Sequence, residues 1–173
     1  MKYLLDTCLL SELVKPVPAP SVLRWLQNQD ETQLFVAAIT LAELQRGVAR
    51  LPISRRRTEL EAWLASVQRQ FGDRVLAFTA HTASYWAQMC AQAQAKGQTM
   101  AAFDSLIAAT AVEHGLALAT RNVADFGAAP VVLVSAALSC SPMRPRFWRR
   151  SGRPDASRRS GLPPLSPRPR HRS

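Results

Sequence analysis

The chain has 173 residues, enough for one domain with a sizeable core, and its 47% hydrophobic content excludes a chain disordered throughout. No apolar run reaches membrane-spanning length, and the opening Met1-Lys2-Tyr3-Leu4-Leu5-Asp6 turns acidic too soon for a secretory signal. A cytoplasmic location with no membrane partner is therefore expected. The net charge of +10 sits at one end: residues 141–173 hold ten arginines against one acid, Asp155, whereas residues 1–140 carry twelve basic and eleven acidic side chains.

Lys2–Asp6 reads as a short apolar strand that ends on an acid. Pro16, Pro18 and Pro20 interrupt the chain. Pro20–Asn28 then reads as a helix with Val22, Leu23, Trp25 and Leu26 on its apolar side, and proline suits a first turn. Leu34–Ala37 reads as a second strand. Thr40 suits the N-cap of the next helix, with Glu43 at capping-box spacing. Arg55–Arg69 carries Leu60, Trp63, Leu64 and Val67 at helical intervals, with Arg55-Arg56-Arg57 on a solvated face. Arg74–Phe78 reads as a third strand. Ala80–Lys96 and Phe103–His114 read as helices stopped by Gly97 and Gly115. Leu116–Thr120 and Val131–Val134 supply two last strands. Such alternation predicts an α/β domain over 1–137, a central mostly parallel sheet of about five strands flanked by helices.

Residues 138–173 break this pattern. Seven of the twelve prolines and ten arginines lie in 141–173, so a disordered basic C-terminal tail is expected. It reads as a nucleic-acid arm, as an inert solvated tail, or as a frameshift or read-through product. The abruptness of the change favours the last. Cys8, Cys90 and Cys140 lack C-x-x-C spacing and give neither a disulfide framework nor a zinc site. Trp25, Trp63, Trp86 and Phe103 lie on apolar stripes and read as packing residues. His81 and His114 are not placed for a catalytic triad.

Four acids fall at the edges of predicted elements. Asp6 ends the first strand, Glu43 lies early in the helix after the second, Asp104 opens a helix, and Asp125 follows the strand ending at Thr120. The carboxyl ends of parallel strands share one edge, where ligands bind. Gathered there, carboxylates repel one another, and a hard divalent cation relieves the repulsion. Each acid also has a structural reading: Asp6 as a turn cap, Glu43 as half a capping box, Asp104 at a helix dipole, Asp125 in a loop. Pattern alone leaves both open. Arg46, Arg50 and Arg121 stand near these acids and suit either phosphate contact or ion pairing.

Tyr3-Leu4-Leu5-Asp6-Thr7 with Leu10-Ser11-Glu12-Leu13 resembles the opening of PIN domains. Thr40-Leu41-Ala42-Glu43-Leu44 with Arg46-Gly47, Phe103-Asp104-Ser105-Leu106-Ile107-Ala108-Ala109-Thr110-Ala111, and Leu118-Ala119-Thr120-Arg121-Asn122 with Ala124-Asp125-Phe126 resemble the later motifs in order. The likeness is to VapC-type toxins of type II toxin–antitoxin modules, including the FitB-like group. It implies a PIN-like fold and a Mg²⁺- or Mn²⁺-dependent endoribonuclease. It further implies an RNA substrate, a cognate VapB-type antitoxin and a homodimer. Asp6, Glu43 and Asp104 carry over as metal-site acids, with Asp125 or Asn122 as the fourth position. Thr7 matches a hydroxyl residue that orients the first carboxylate, and Arg46 and Arg121 become candidate RNA contacts.

Two departures matter. Cys8 stands where the family commonly has asparagine, and a thiol lacks an amide's hydrogen bonds, so weaker support of Asp6 is expected. After Val134 the chain continues into the basic tail instead of the family's short ending. These departures motivate an alternative: a catalytically weak module acting in a DNA-bound regulatory complex with its antitoxin. A third reading is a nuclease on structured DNA, disfavoured by the shortness of the chain.

Overall fold

A computed structural model of the chain describes residues 1–136; the tail expected over 138–173 lies outside the described residues. Five strands run β1 (Tyr3–Leu5), β2 (Leu34–Ala37), β3 (Val75–Leu76), β4 (Ala117–Thr120) and β5 (Leu133–Ser135). They form one sheet in the order β3-β2-β1-β4-β5, and every pairing is parallel. Parallel neighbours need crossovers, and helices provide all but the last, where a segment with one short 3-10 turn (Val123–Phe126) joins β4 to β5. The helices are α1 (Thr7–Glu12), α2 (Pro20–Gln27), α3 (Ala38–Ala49), α4 (Arg55–Phe71), α5 (Ala80–Ala95) and α6 (Ala102–Glu113).

Successive strand residues face opposite ways, so β1 serves two cores. Leu5 packs with Leu9, Val22, Trp25, Leu26, Val67 and Phe71 from α1, α2 and α4. Leu4 packs with Met89, Ile107, Ala108, Ala111 and Phe126 on the other face. Both leucines are fully buried. The central strand therefore has no polar face, as expected of a sheet covered on both sides. Among the described residues, no helix is long and apolar enough to cross a membrane.

The predicted helix stops at Gly97 and Gly115 are observed, with φ of +69° and +60°. That left-handed geometry is cheap for glycine and lets the chain leave α5 and α6. Other boundaries shift. The expected strand over 74–78 shortens to Val75–Leu76, and the first strand ends at Leu5, with Asp6 capping an unpredicted short helix, α1. The expected Thr40 cap is not observed. Helix α3 follows β2 without a loop, so it starts at Ala38 and buries Thr40 inside its first turn. Arg55 and Arg57 pair with Glu59 and Glu61 along α4, whereas Arg56 donates to the Val14 carbonyl instead of facing only solvent.

The Thr40 hydroxyl is fully buried and has no hydrogen-bond partner among the described residues. A buried unsatisfied hydroxyl costs about 1–3 kcal/mol. Thr40→Val keeps the branched shape and removes that polar atom. It is expected to raise the melting temperature by a few degrees, and an unchanged or lower value in calorimetry would contradict this.

Candidate active site

The four acids meet at the carboxyl edge of the sheet. Asp6 follows the central strand, and its backbone N–H extends the ladder to the Ala119 carbonyl at 3.0 Å. Oδ1 of Asp6 accepts from the Thr7 N–H at 2.6 Å, the cap of α1. Oδ2 accepts from Thr120 Oγ1 at 2.8 Å and from Cys8 Sγ at 2.8 Å. Thr7 Oγ1 donates to Glu43 Oε2 at 2.6 Å, which ties α1 to α3. Thr120 Oγ1 accepts from the Asn122 N–H at 3.0 Å, and Asn122 Nδ2 donates to Asp125 Oδ2 at 2.6 Å. One hydrogen-bonded chain thus runs from Glu43 through Thr7, Asp6, Thr120 and Asn122 to Asp125.

Asp104 enters from the first turn of α6. Partial burial, then the charges of Asp6, Asp125 and Glu43, push its carboxyl up from 3.8 to about 6. Asp104 therefore senses the other three acids, although Asp6 lies 98 positions away in the chain. Among the described residues none of the four forms an ion pair with lysine, arginine or histidine. The structural readings of the acids survive in part. Asp6 does cap a helix, and Asp104 does sit at a dipole, but Glu43 belongs to no capping box.

Cys8, where weaker support of Asp6 is expected, does contact that carboxylate. Burial first, then the Asp6 carboxylate, push its thiol up to about 11, so it stays protonated and donates to Asp6. Its sulfur also accepts the Arg121 N–H at 3.2 Å. The thiol thus gives Asp6 a donor and links it to the end of β4.

The two candidate RNA-contact arginines differ. Arg121 is committed: its guanidinium binds Glu12, a buried acid that also takes Lys15 at 2.7 Å and the Ala19 N–H at 2.8 Å. Arg46 lies exposed with its guanidinium 5.8 Å from the Phe103 ring centre. Glu12 and Thr120 are the structural residues missed as individuals in the sequence. The signal for Glu12 was an acid set among Leu9, Leu10 and Leu13. Thr120 carried no signal beyond its place in the last motif.

The remaining expectations hold or shift modestly. Trp25 is buried and Trp63 packs against the same core, while Trp86 is half-exposed and donates to Ser105 Oγ at 2.9 Å. His81 pairs with Glu113, at the end of α6 away from Asp104, consistent with no triad.

Residues 3–129 match the family model described as PIN domain. The chain belongs to the PIN-domain family. It is 39% identical to "VapC ribonuclease Y4jK" of Sinorhizobium fredii over 132 residues, covering 76% of this chain and 94% of that protein. It is 38% identical to "Toxin FitB" of Neisseria gonorrhoeae over 131 residues, covering 75% of this chain and 94% of that one. The solved structure of FitAcB from Neisseria gonorrhoeae superimposes with a TM-score of 0.74 at 37% identity, covering 78% of this chain and 97% of that chain.

The donor set of this PIN domain suits a hard divalent cation. Among the described residues the groups that converge are carboxylates, one amide, two hydroxyls and a thiol, and no ion pair with a protein cation neutralises the acids. As the side chains stand, no three His, Cys, Asp or Glu among the described residues are grouped to hold a metal. That is compatible with Mg²⁺, which keeps several waters and takes only one or two carboxylates directly.

The raised Asp104 carboxyl has a consequence for stability. Folding favours its protonated form, so its contribution is greatest below the unfolded value near pH 4 and is lost as pH climbs through about 6. Without divalent ions, the wild type should therefore lose stability relative to Asp104→Asn between about pH 4 and 6. Melting curves of both proteins over that range, in chelator, test this. A pH-independent difference would remove the coupling.

Proposed function

We propose that the protein is an endoribonuclease toxin that hydrolyses RNA phosphodiesters at this acidic edge, restrained by a VapB-type antitoxin. The observation that carries this reading is the convergence of four carboxylates with no ion-paired protein cation to balance them among the described residues. The relatives named a ribonuclease and a toxin support it, at 39% and 38% identity over nearly their whole length.

Asp6, Glu43, Asp104 and Asp125 would hold Mg²⁺ or Mn²⁺. Such an ion supplies a water of lowered pKa and stabilises charge developing on a phosphoryl oxygen. The protein's own residues set the geometry. Thr7, Cys8 and Thr120 fix both oxygens of Asp6, and Thr7 holds Glu43 in the same array. Asn122 serves Asp125 as a donor, which makes Asp125 the charged member of that pair and Asn122 its positioning residue. Among the described residues Asp104 accepts no hydrogen bond, so its carboxylate can turn toward a ligand.

The test is cleavage of an RNA panel by the purified full chain with Mg²⁺, with Mn²⁺, and with EDTA. Cleavage in either metal that EDTA abolishes is expected; cleavage indifferent to EDTA, or none in either metal, would overturn the proposal. Co-expression with the adjacent small open reading frame should relieve growth arrest, and sedimentation should report a homodimer. The rival reading of a catalytically weak module loses one ground, because Cys8 supports Asp6 instead of leaving it loose.

A further inference from the structure

We infer that the RNA backbone leaves the acidic edge along the exposed face of α3, over Arg46, Gly47 and Arg50, and not over Arg121. This rests on the ribonuclease reading above and names where its substrate runs.

Glu43, Arg46 and Gly47 stand at i, i+3 and i+4 of α3, and Arg50, its C-cap in right-handed helical geometry, follows at i+7, so they share a face. Arg46, Gly47 and Arg50 are all exposed. Among the described residues neither arginine enters an ion pair, so both charges can meet a ligand. Arg46 is steadied on the Phe103 ring, and Phe103 directly precedes Asp104. That placement holds a cation beside two of the site acids without neutralising either.

Gly47 is the second observation. Glycine inside a helix is destabilising relative to alanine. Among the described residues nothing requires it: its φ is not positive, and an added Cβ would meet no atom within 4 Å. What glycine offers at an exposed helical position is close approach of something outside the chain to the backbone. Two unpaired arginines beside it select an anionic chain. An apolar partner would need an apolar face, and the large apolar residues of α3 are buried (Leu41, Val48) or packed partly buried against the two cores (Ile39, Leu44). Arg121 is less free to join this track, because one of its guanidinium nitrogens is held by buried Glu12.

The experiment compares wild type, Arg46→Gln/Arg50→Gln and Gly47→Ala as full-length proteins. Binding of a fluorescent oligoribonucleotide is measured by anisotropy in EDTA across a salt series, and KM and kcat are measured with metal. The arginine pair should weaken binding roughly tenfold and make the slope of log K on log salt shallower by about 0.7 for each phosphate no longer neutralised. KM should rise with kcat nearly unchanged. Gly47→Ala should raise the melting temperature yet weaken RNA binding, a combination a purely structural glycine cannot produce. Unchanged slope and KM in the arginine variant, or unchanged RNA binding in Gly47→Ala, would overturn the inference. So would variants that bind RNA normally but no longer bind the antitoxin, since the face would then belong to a protein partner. A wild type that cuts no RNA, while the variants still bind RNA more weakly, leaves this inference standing and defeats the ribonuclease reading.

Discussion

Asp104→Asn is expected to lower RNA cleavage by at least about 10³-fold, corresponding to roughly 4 kcal/mol of lost transition-state stabilisation. Asparagine keeps the shape and one oxygen but removes the charge that a divalent cation would meet. Asp104 is the informative position because it is the member of the site that its neighbours repel most evidently, with its carboxyl pushed up to about 6. It accepts no hydrogen bond among the described residues, so replacing it breaks none. At pH 8 without divalent ions the variant should melt no lower than the wild type, and addition of Mg²⁺ should stabilise the wild type more than the variant. Full activity in Asp104→Asn would remove Asp104 from the site. Loss of activity accompanied by a markedly lower melting temperature would make its role structural.

Glu12→Ala should be the most costly substitution outside the acidic edge, at about 2–4 kcal/mol, or roughly 6–15 °C of melting temperature. Glu12 is almost wholly buried at the end of α1 and accepts from Lys15, the Ala19 N–H and Arg121. Those donors hold its carboxyl below the ordinary glutamate value, Lys15 first, against the opposing cost of burial. Truncation leaves the Ala19 N–H without this partner and frees Arg121, which lies between Thr120 and Asn122 of the hydrogen-bonded chain. Cleavage should therefore fall along with stability. Glu12→Gln keeps the shape and an acceptor, so it should lose less of both. A Glu12→Ala protein that melts within about 1 °C of wild type would show that solvent replaces the ion pair at no cost.

Local pattern was a good guide where one physical signal dominated. Leu34–Ala37 emerged as predicted because a short apolar run after the polar Gln29–Gln33 stretch suits a strand covered on both faces. Gly97 and Gly115 ended helices because a left-handed residue is cheap only for glycine. Pro20 opened α2 because a first-turn residue needs no N–H partner. The identity and order of Asp6, Glu43, Asp104 and Asp125 were likewise legible, and so was the parallel sheet whose carboxyl edge collects them. Short or junctional elements were not. Helix α1 has six residues, too few for a periodic pattern, and it exists because Asp6 caps it and Leu9 and Leu10 are buried beneath it. The Thr40-to-Glu43 spacing imitated a capping box, yet the direct junction of β2 and α3 placed both residues inside the helix.

The roles of Cys8, Glu12, Arg46 and Arg121 were decided by tertiary structure alone. Cys8 and Asp6 are two residues apart, but the thiol can serve the carboxylate only because β4 brings Thr120 and Arg121 against it. In sequence, Arg46 and Arg121 are equivalent arginines beside acidic motifs. In the fold, a carboxylate buried 109 positions away claims one guanidinium and leaves the other on an aromatic ring. Charge type is local and can be read from the chain. Which charge meets which depends on contacts between distant segments, and those form only when the sheet assembles.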